Sequence, residues 1–151
     1  WFLSGVQLEI GQNATEFEHE PFGKTVEKCE RYFQKTYDLS EFGGGSVYNS
    51  TGTYTGNIIM QSIYNTQYNQ QLYYYHHFRT KMRADPAITL YEPYLGNSAK
   101  IMHNASGTNH NGAAGQIGQN GFRIYGSSLS STGDNNGGDT YAVHFLADDE
   151  F

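Results

Sequence analysis

The side chains with chemical potential in this chain are six His, one Cys, 15 Asp and Glu, and 13 Tyr, and their spacing decides what they could do. The adjacent pair His76 and His77, in "YYYHHFR", would point to opposite faces of a strand and so cannot close on one ion. His103 and His110 flank a loop and could approach each other, but no carboxylate or thiol at ligand spacing accompanies them, so no metal is expected. The "GKT" at Gly23–Thr25 is not a phosphate loop, because the glycine required five positions earlier is Glu18. No G-x-S-x-G elbow occurs, and the serines fall mostly in glycine-rich, turn-forming stretches. Glu41, Asp85, Glu92 and Asp139 could serve glycoside cleavage only at defined separations in space. The closing "ADDEF" reads as a solvated end. Cys29 reads as a small buried thiol on a helix face, not a reactive one. Neither an enzyme nor a cofactor is expected.

The tyrosines are the informative excess. In "QLYYYHHFR" strand alternation sends Leu72, Tyr74, His76 and Phe78 to one face and Tyr73, Tyr75, His77 and Arg79 to the other. One set must be core. The other presents rings, an imidazole and a guanidinium to solvent or to a partner, which suits saccharides: flat rings cover the apolar face of a pyranose and polar groups bond its hydroxyls. The site residues expected from residue type are Tyr91, Tyr94, His103, Asn104, His110 and Asn111, with Tyr73 and Tyr75 as second choices. The competing reading is that tyrosine fills a glycine-rich β core and subunit contacts.

The elements that must carry these residues follow from composition and periodicity. A length of 151 residues suits one hydrophobic core, and 18 Gly with only 16% charged residues suits short strands and tight turns. Val6, Leu8 and Ile10 alternate with polar residues, as in a half-buried strand. After Pro21, the residues Phe22, Val26, Cys29 and Phe33 recur at helical spacing and predict an amphipathic helix of about 13 residues, too short to be stable undocked. "DLSEFGGGSVYNSTGTYT" reads as a joint. Strands are expected at Asn57–Tyr64, Gln71–Met82, Ala87–Tyr91, Lys100–Asn104, Ala113–Ile117, Gly121–Gly126 and Asp139–Leu146, with a hairpin at Gln119–Gly121. Gly112, Gly115, Gly118 and Gly121 recur at every third residue, but four triplets without proline are too few for a collagen helix. The expected organisation is a strand and connector from an upstream module at 1–20, a connector helix at 21–37, a flexible joint at 38–55 and a β-sandwich knob, jelly-roll-like, at 56–151. Beginning at Trp1 without a leader pattern, the chain reads as a piece of something longer.

Charge and hydropathy narrow the partners. A net charge of −6, with nine Lys and Arg that form no run, disfavours nucleic acid. No apolar segment approaches the roughly 20 residues that span a bilayer, so membrane insertion is not expected. One cysteine cannot form an internal disulfide. Sequons at Asn13, Asn49 and Asn104 are unremarkable in a chain this rich in Asn, Ser and Thr.

Beyond composition, "GVQLEIGQNATEFEHEPFGKTVEKCERYFQKTY" resembles a segment of bacteriophage tail-fibre and tail-appendage proteins, written loosely LE-x-G-x-x-AT-x-FE, then [FY]-G, then C-x-RY[FY]-x-K. The matching residues are Leu8, Glu9, Gly11, Ala14, Thr15, Phe17, Glu18, Phe22, Gly23, Cys29, Arg31, Tyr32, Phe33 and Lys35. "FRTKMRADPAITLY" is similar to a second block of these proteins, and "GQNGF" and "YAVHFLADDEF" to their last two strands. The resemblance implies a homotrimeric receptor-binding tip of a virion appendage, working beside other virion tail proteins. It would act at the host surface and hold bacterial polysaccharide without cleaving it. The face Phe22, Val26, Cys29 and Phe33 would then meet the knob or sister helices. Two alternatives stand beside it: a purely structural trimerisation or connector module, and a polysaccharide depolymerase.

Overall fold

The computed structural model describes residues 19–45, 56–61, 72–104, 106–127 and 139–149, with isolated positions 6, 10–13 and 16. Most of the strand expected near the start, residues 46–55 of the expected joint and the loop before the last strand lie outside these.

Among the described residues the fold is mainly β: one short helix, α1 (Phe22–Glu30), and eight antiparallel strands in a curled sheet shaped like half a barrel. The strands are β1 (Phe33–Lys35), β2 (Ile58–Gln61), β3 (Leu72–His77), β4 (Ala87–Tyr91), β5 (Lys100–His103), β6 (Asn109–Gly118), β7 (Gly121–Ser127) and β8 (Thr140–Asp148). Their order is β1-β8-β5-β6-β7-β3, and β2 and β4 also pair with β8.

β8 is the organising strand. Its first half lies between β2 (Ile58 opposite Val143) and β5 (Met102 opposite Ala142). Its second half lies between β1 (Phe33 opposite Asp148) and β4 (Tyr91 opposite His144). Every residue from Tyr141 to Phe145 is buried, which explains why "YAVHF" does not alternate as a one-sided strand would. Tyr141, Val143, Phe145 and Ala147 meet Ile58, Met60, Leu72, Leu90, Ile101, Phe122 and Ile124 in one core.

The helix is shorter than its periodicity predicts. The N–H groups of Arg31 and Tyr32 bond back three residues, to the carbonyls of Lys28 and Cys29, and close the helix. Phe33 therefore lies on β1 and not on the helix. The competing force is a buried amide. Gln34 Nε2 donates to the carbonyls of Glu30 (2.9 Å) and Thr80 (2.6 Å), and Oε1 accepts from Arg79 N–H (3.1 Å). A polar residue held by three bonds is as firmly buried as a leucine, and hydrophobic periodicity is blind to it. The helix end is further locked by Arg79 and Thr80 on the Glu30 carboxylate.

Two further expectations change. Cys29 is exposed rather than buried. Asp149 is not in a solvated end: its N–H donates to Tyr32 O (3.0 Å) and its Oδ2 accepts from Ala84 N–H (2.7 Å), stitching the end of β8 to the helix exit.

Residues 38–45 are tied to the sheet. Lys35 Nζ donates to the carbonyls of Leu39 and Glu41, and Tyr37 Oη accepts from Gly44 N–H. Gly96, at φ +73°, lets Gly44 approach so closely that a Cβ there would sit 1.9 Å from the Gly44 carbonyl oxygen.

Candidate functional site

The expected site residues fall into separate places. Tyr91 ends β4 and is half-buried, its ring edge-on to Tyr37. Tyr94 is exposed on the turn that follows, which is built around a fully buried carboxylate. Glu92 accepts from the N–H groups of Tyr94 (2.7 Å), Leu95 (2.7 Å) and Asn97 (3.3 Å) and from Asn97 Nδ2 (3.0 Å). Saturated in this way, Glu92 shapes a turn and has no capacity left for a ligand.

His103 and Asn104 lie at the β5–β6 turn, and His110 and Asn111 on β6. His103 and His110 do converge, both packing on Tyr141 at ring separations of 5.2 and 5.8 Å. Asn104 is tied to Thr140 and Asn111 to Lys100.

A serine, a histidine and an aspartate also meet at this turn. Ser106 Oγ is 2.7 Å from His103 Nδ1, and Asp139 Oδ1 is 3.6 Å from His103 Nε2. The hydroxyl, however, donates to Thr108 Oγ1 (2.9 Å). His103 Nδ1–H then donates to Ser106, the reverse of what a general base needs. The backbone N–H groups of Gly107 and Thr108 are taken up within the turn, so neither waits for an oxyanion. The cluster knots a hairpin.

The second-choice tyrosines stand in the better place. On β3 the alternation holds except at Tyr74: Leu72 is buried and His76 faces the aromatic core of Phe78, Phe122 and Phe145, Tyr73, Tyr75 and His77 face outward, and Tyr74, expected beside Leu72 and His76, is 38% exposed. Burial, with lesser contributions from the charges of His77 and Arg79, pushes the His76 pKa down to about 4, so this imidazole is neutral near pH 7. β7 lies beside β3 with Tyr73 opposite Tyr125 and Tyr75 opposite Arg123, and β6 beside β7 with Ala113 opposite Tyr125 and Gly115 opposite Arg123. Cross-strand partners share a face, so these six residues form a grid two rows deep.

Its surface is flat for two reasons. Small residues occupy the β6 column, and the Tyr125 ring reclines across Gly115, where a Cβ would come within 2.9 Å of Cε1. The Arg123 guanidinium in turn lies over the Tyr73 ring, 4.1 Å from its centroid. Tyr73 is 53% exposed, Tyr75 43% and Tyr125 37%, so the three rings offer apolar faces beside a cation. At the rim, the Tyr75 and His77 rings meet edge-to-face at 4.8 Å. A bulge between Gly115 and Gly118, with Gln116 at φ +47°, turns the Gln116 side chain back toward Arg123.

Arg123, Tyr125 and Gln116 were not among the residues expected from sequence. The clue for two of them lies in "GFRIYGS", where Phe122 and Ile124 alternate with Arg123 and Tyr125; antiparallel pairing with β3, far earlier in the chain, is what sets them beside Tyr73 and Tyr75.

Apart from this flat face, a groove of about 600 Å³ runs between α1 and β1 and is lined by Phe22, Val26, Cys29, Phe33, Tyr37 and Leu39 among others. All four residues of the expected helix face line it, although Phe33 reaches it from β1. Phe22 is 73% exposed, so in the single chain this face is uncovered.

Among the described residues no group of three or more His, Cys, Asp or Glu converges as metal ligands would, and no helix is long and apolar enough to cross a membrane. No protein-family model, curated protein or solved structure matches the chain.

Proposed function

We propose that this chain is the receptor-binding tip of a phage tail fibre or similar virion appendage, which attaches to bacterial surface polysaccharide outside the host cell without cleaving it. The observation that carries the reading is the outward grid of Tyr73, Tyr75 and Tyr125 with Arg123: exposed rings on a rigid sheet, flattened by Gly115, next to hydrogen-bonding groups. Exposed aromatic rings on a sheet are costly to leave in water, and a pyranose face is an apolar surface that matches them. On this reading the curled sheet belongs to a jelly-roll-like sandwich knob. The resemblance of the α1 segment to tail-fibre proteins supplies the context: a homotrimer in which sister subunits cover the groove between α1 and β1, joined to other virion tail proteins. Weak single sites suffice there, because several knobs on one particle multiply the effective affinity.

A glycan array probed with the chain and with Tyr73→Ala, Tyr75→Ala and Tyr125→Ala variants tests the proposal. Each variant should keep its thermal midpoint and lose about two- to tenfold in glycan affinity, the worth of roughly 0.5–1.5 kcal/mol per aromatic contact. Equal binding by all three variants removes the grid from the site.

The uncovered α1 face favours a second reading, a purely structural trimerisation module. A chain that assembles in solution, yet retains no saccharide and fails to compete with phage adsorption, would make that reading the better one.

A further inference from the structure

We infer that the saccharide held on this grid is anionic, a sugar unit that carries a carboxylate or a phosphate, and that Arg123 is the residue that reads its charge. The inference rests on the glycan-binding reading above and adds the class of ligand.

The Arg123 guanidinium has no acidic partner among the described residues. Among the described residues the ion pairs join Lys24 and Lys28 to Glu20, Arg79 to Glu30 and His103 to Asp139, and none involves Arg123. Among the described residues its side-chain hydrogen bond is a long contact, 3.5 Å, to the neutral Gln116 amide oxygen, and its Nε is shielded from solvent with no partner. A planar fork of donors held on an aromatic face, with its charge unneutralised, is prepared for a planar or tetrahedral oxyanion.

The surroundings reinforce this. Its seat over the Tyr73 ring restrains the guanidinium, so less side-chain freedom is lost when an anion docks. Tyr75 is its cross-strand neighbour and Tyr125 the next outward residue on its own strand, so a sugar ring lying on either would bring a substituent within reach of the fork. A polyanion such as nucleic acid would meet the chain's net charge of −6 at every phosphate, whereas an isolated charge on a sugar needs one cation and is screened from the rest beyond about 10 Å.

The test uses the whole chain on an array of bacterial surface saccharides with neutral, uronic- or sialic-acid-bearing and phosphorylated members. The expected hits are charged members. Carbodiimide reduction of the carboxylates, or dephosphorylation where the hit is a phosphate ester, should weaken binding by at least about tenfold, and which treatment acts identifies the anion. Arg123→Gln should bind the untreated glycan at least about tenfold more weakly, and should no longer distinguish the treated from the untreated form. Arg123→Lys, which keeps the charge and loses the fork, should fall between. A thermal midpoint unchanged in Arg123→Gln excludes misfolding as the cause. Neutral hits that survive both treatments would overturn the inference and leave the glycan-binding reading intact. A folded chain that binds no member of the array would overturn both.

Discussion

Acidification should destabilise this fold through buried imidazoles, His144 above all by burial, before the carboxylates contribute. His144 is fully buried on β8, its ring stacked on Tyr37 at 4.1 Å. Thr36 Oγ1 accepts from Phe145 N–H and lies 2.9 Å from His144 Nδ1, which holds the ring in place between β1 and β8. Burial pushes the pKa from the ordinary 6.5 down to about 4. The folded state therefore binds fewer protons than the unfolded chain as pH falls below 6.5. Stability is complete above that pH and declines progressively until the folded state itself takes up the proton near pH 4. From those two values the loss is about 2 kcal/mol at pH 5 and about 3 kcal/mol at pH 4. His76, half-buried and also held near 4, acts in the same direction. Urea unfolding at pH 8 and pH 5 should show a midpoint lower by about 1 M at the lower pH. His144→Gln, which cannot take the proton, should remove about half of the difference, the remainder being carried by His76. A midpoint that does not move between pH 8 and pH 5, or a His144 ring that titrates near 6.5 by NMR in the folded protein, would refute the reasoning.

Three other outcomes follow from the geometry. Glu92→Gln sets an amide NH₂ against one of the N–H groups that the carboxylate now accepts, and should cost about 2–3 kcal/mol, seen as a fall of roughly 5–10 °C in the thermal midpoint. Gly96→Ala combines a strained φ with a collision against the Gly44 carbonyl and should destabilise by at least about 2 kcal/mol in denaturant titration; a midpoint equal to that of the parent would show that residues 38–45 do not pack on this turn. Cys29, exposed beside the groove, should react with a maleimide as a free thiol in dilute solution and be protected as concentration rises if sister subunits cover α1; a rate independent of concentration would argue against that cover.

Local pattern identified several of the strands, though not β1, which falls inside the expected helix. β4 falls at Ala87–Tyr91 as its alternation predicts, and the β6–β7 hairpin turns at Gln119 and Asn120, where the Asn-Gly signature pointed. Three features resisted for physical reasons. The helix was overextended because Phe33 fits helical spacing, while the residue that captures the chain for β1 is the polar Gln34, whose partners Arg79 and Thr80 are some 45 residues away in sequence. Asp149 was read as solvated because its partners are main-chain groups, which carry no residue-type signature. The Tyr73–Tyr125 and Tyr75–Arg123 pairs depend on register between strands far apart in the chain, and periodicity within each strand shows only that both point outward.

The four-partner strand has a consequence for how the protein is made. β1, β2, β4 and β5 all find a hydrogen-bonding edge on β8, yet each leaves the ribosome before it. Until residues 140–148 emerge, these strands have no common seam, and the pairing of β1 with β8 spans more than 100 residues of chain. Pairings this distant in sequence make folding slow, and they leave unfinished edges exposed to neighbouring nascent chains. Folding should therefore stay incomplete until that strand, the keystone of the four that pair with it, has emerged after them.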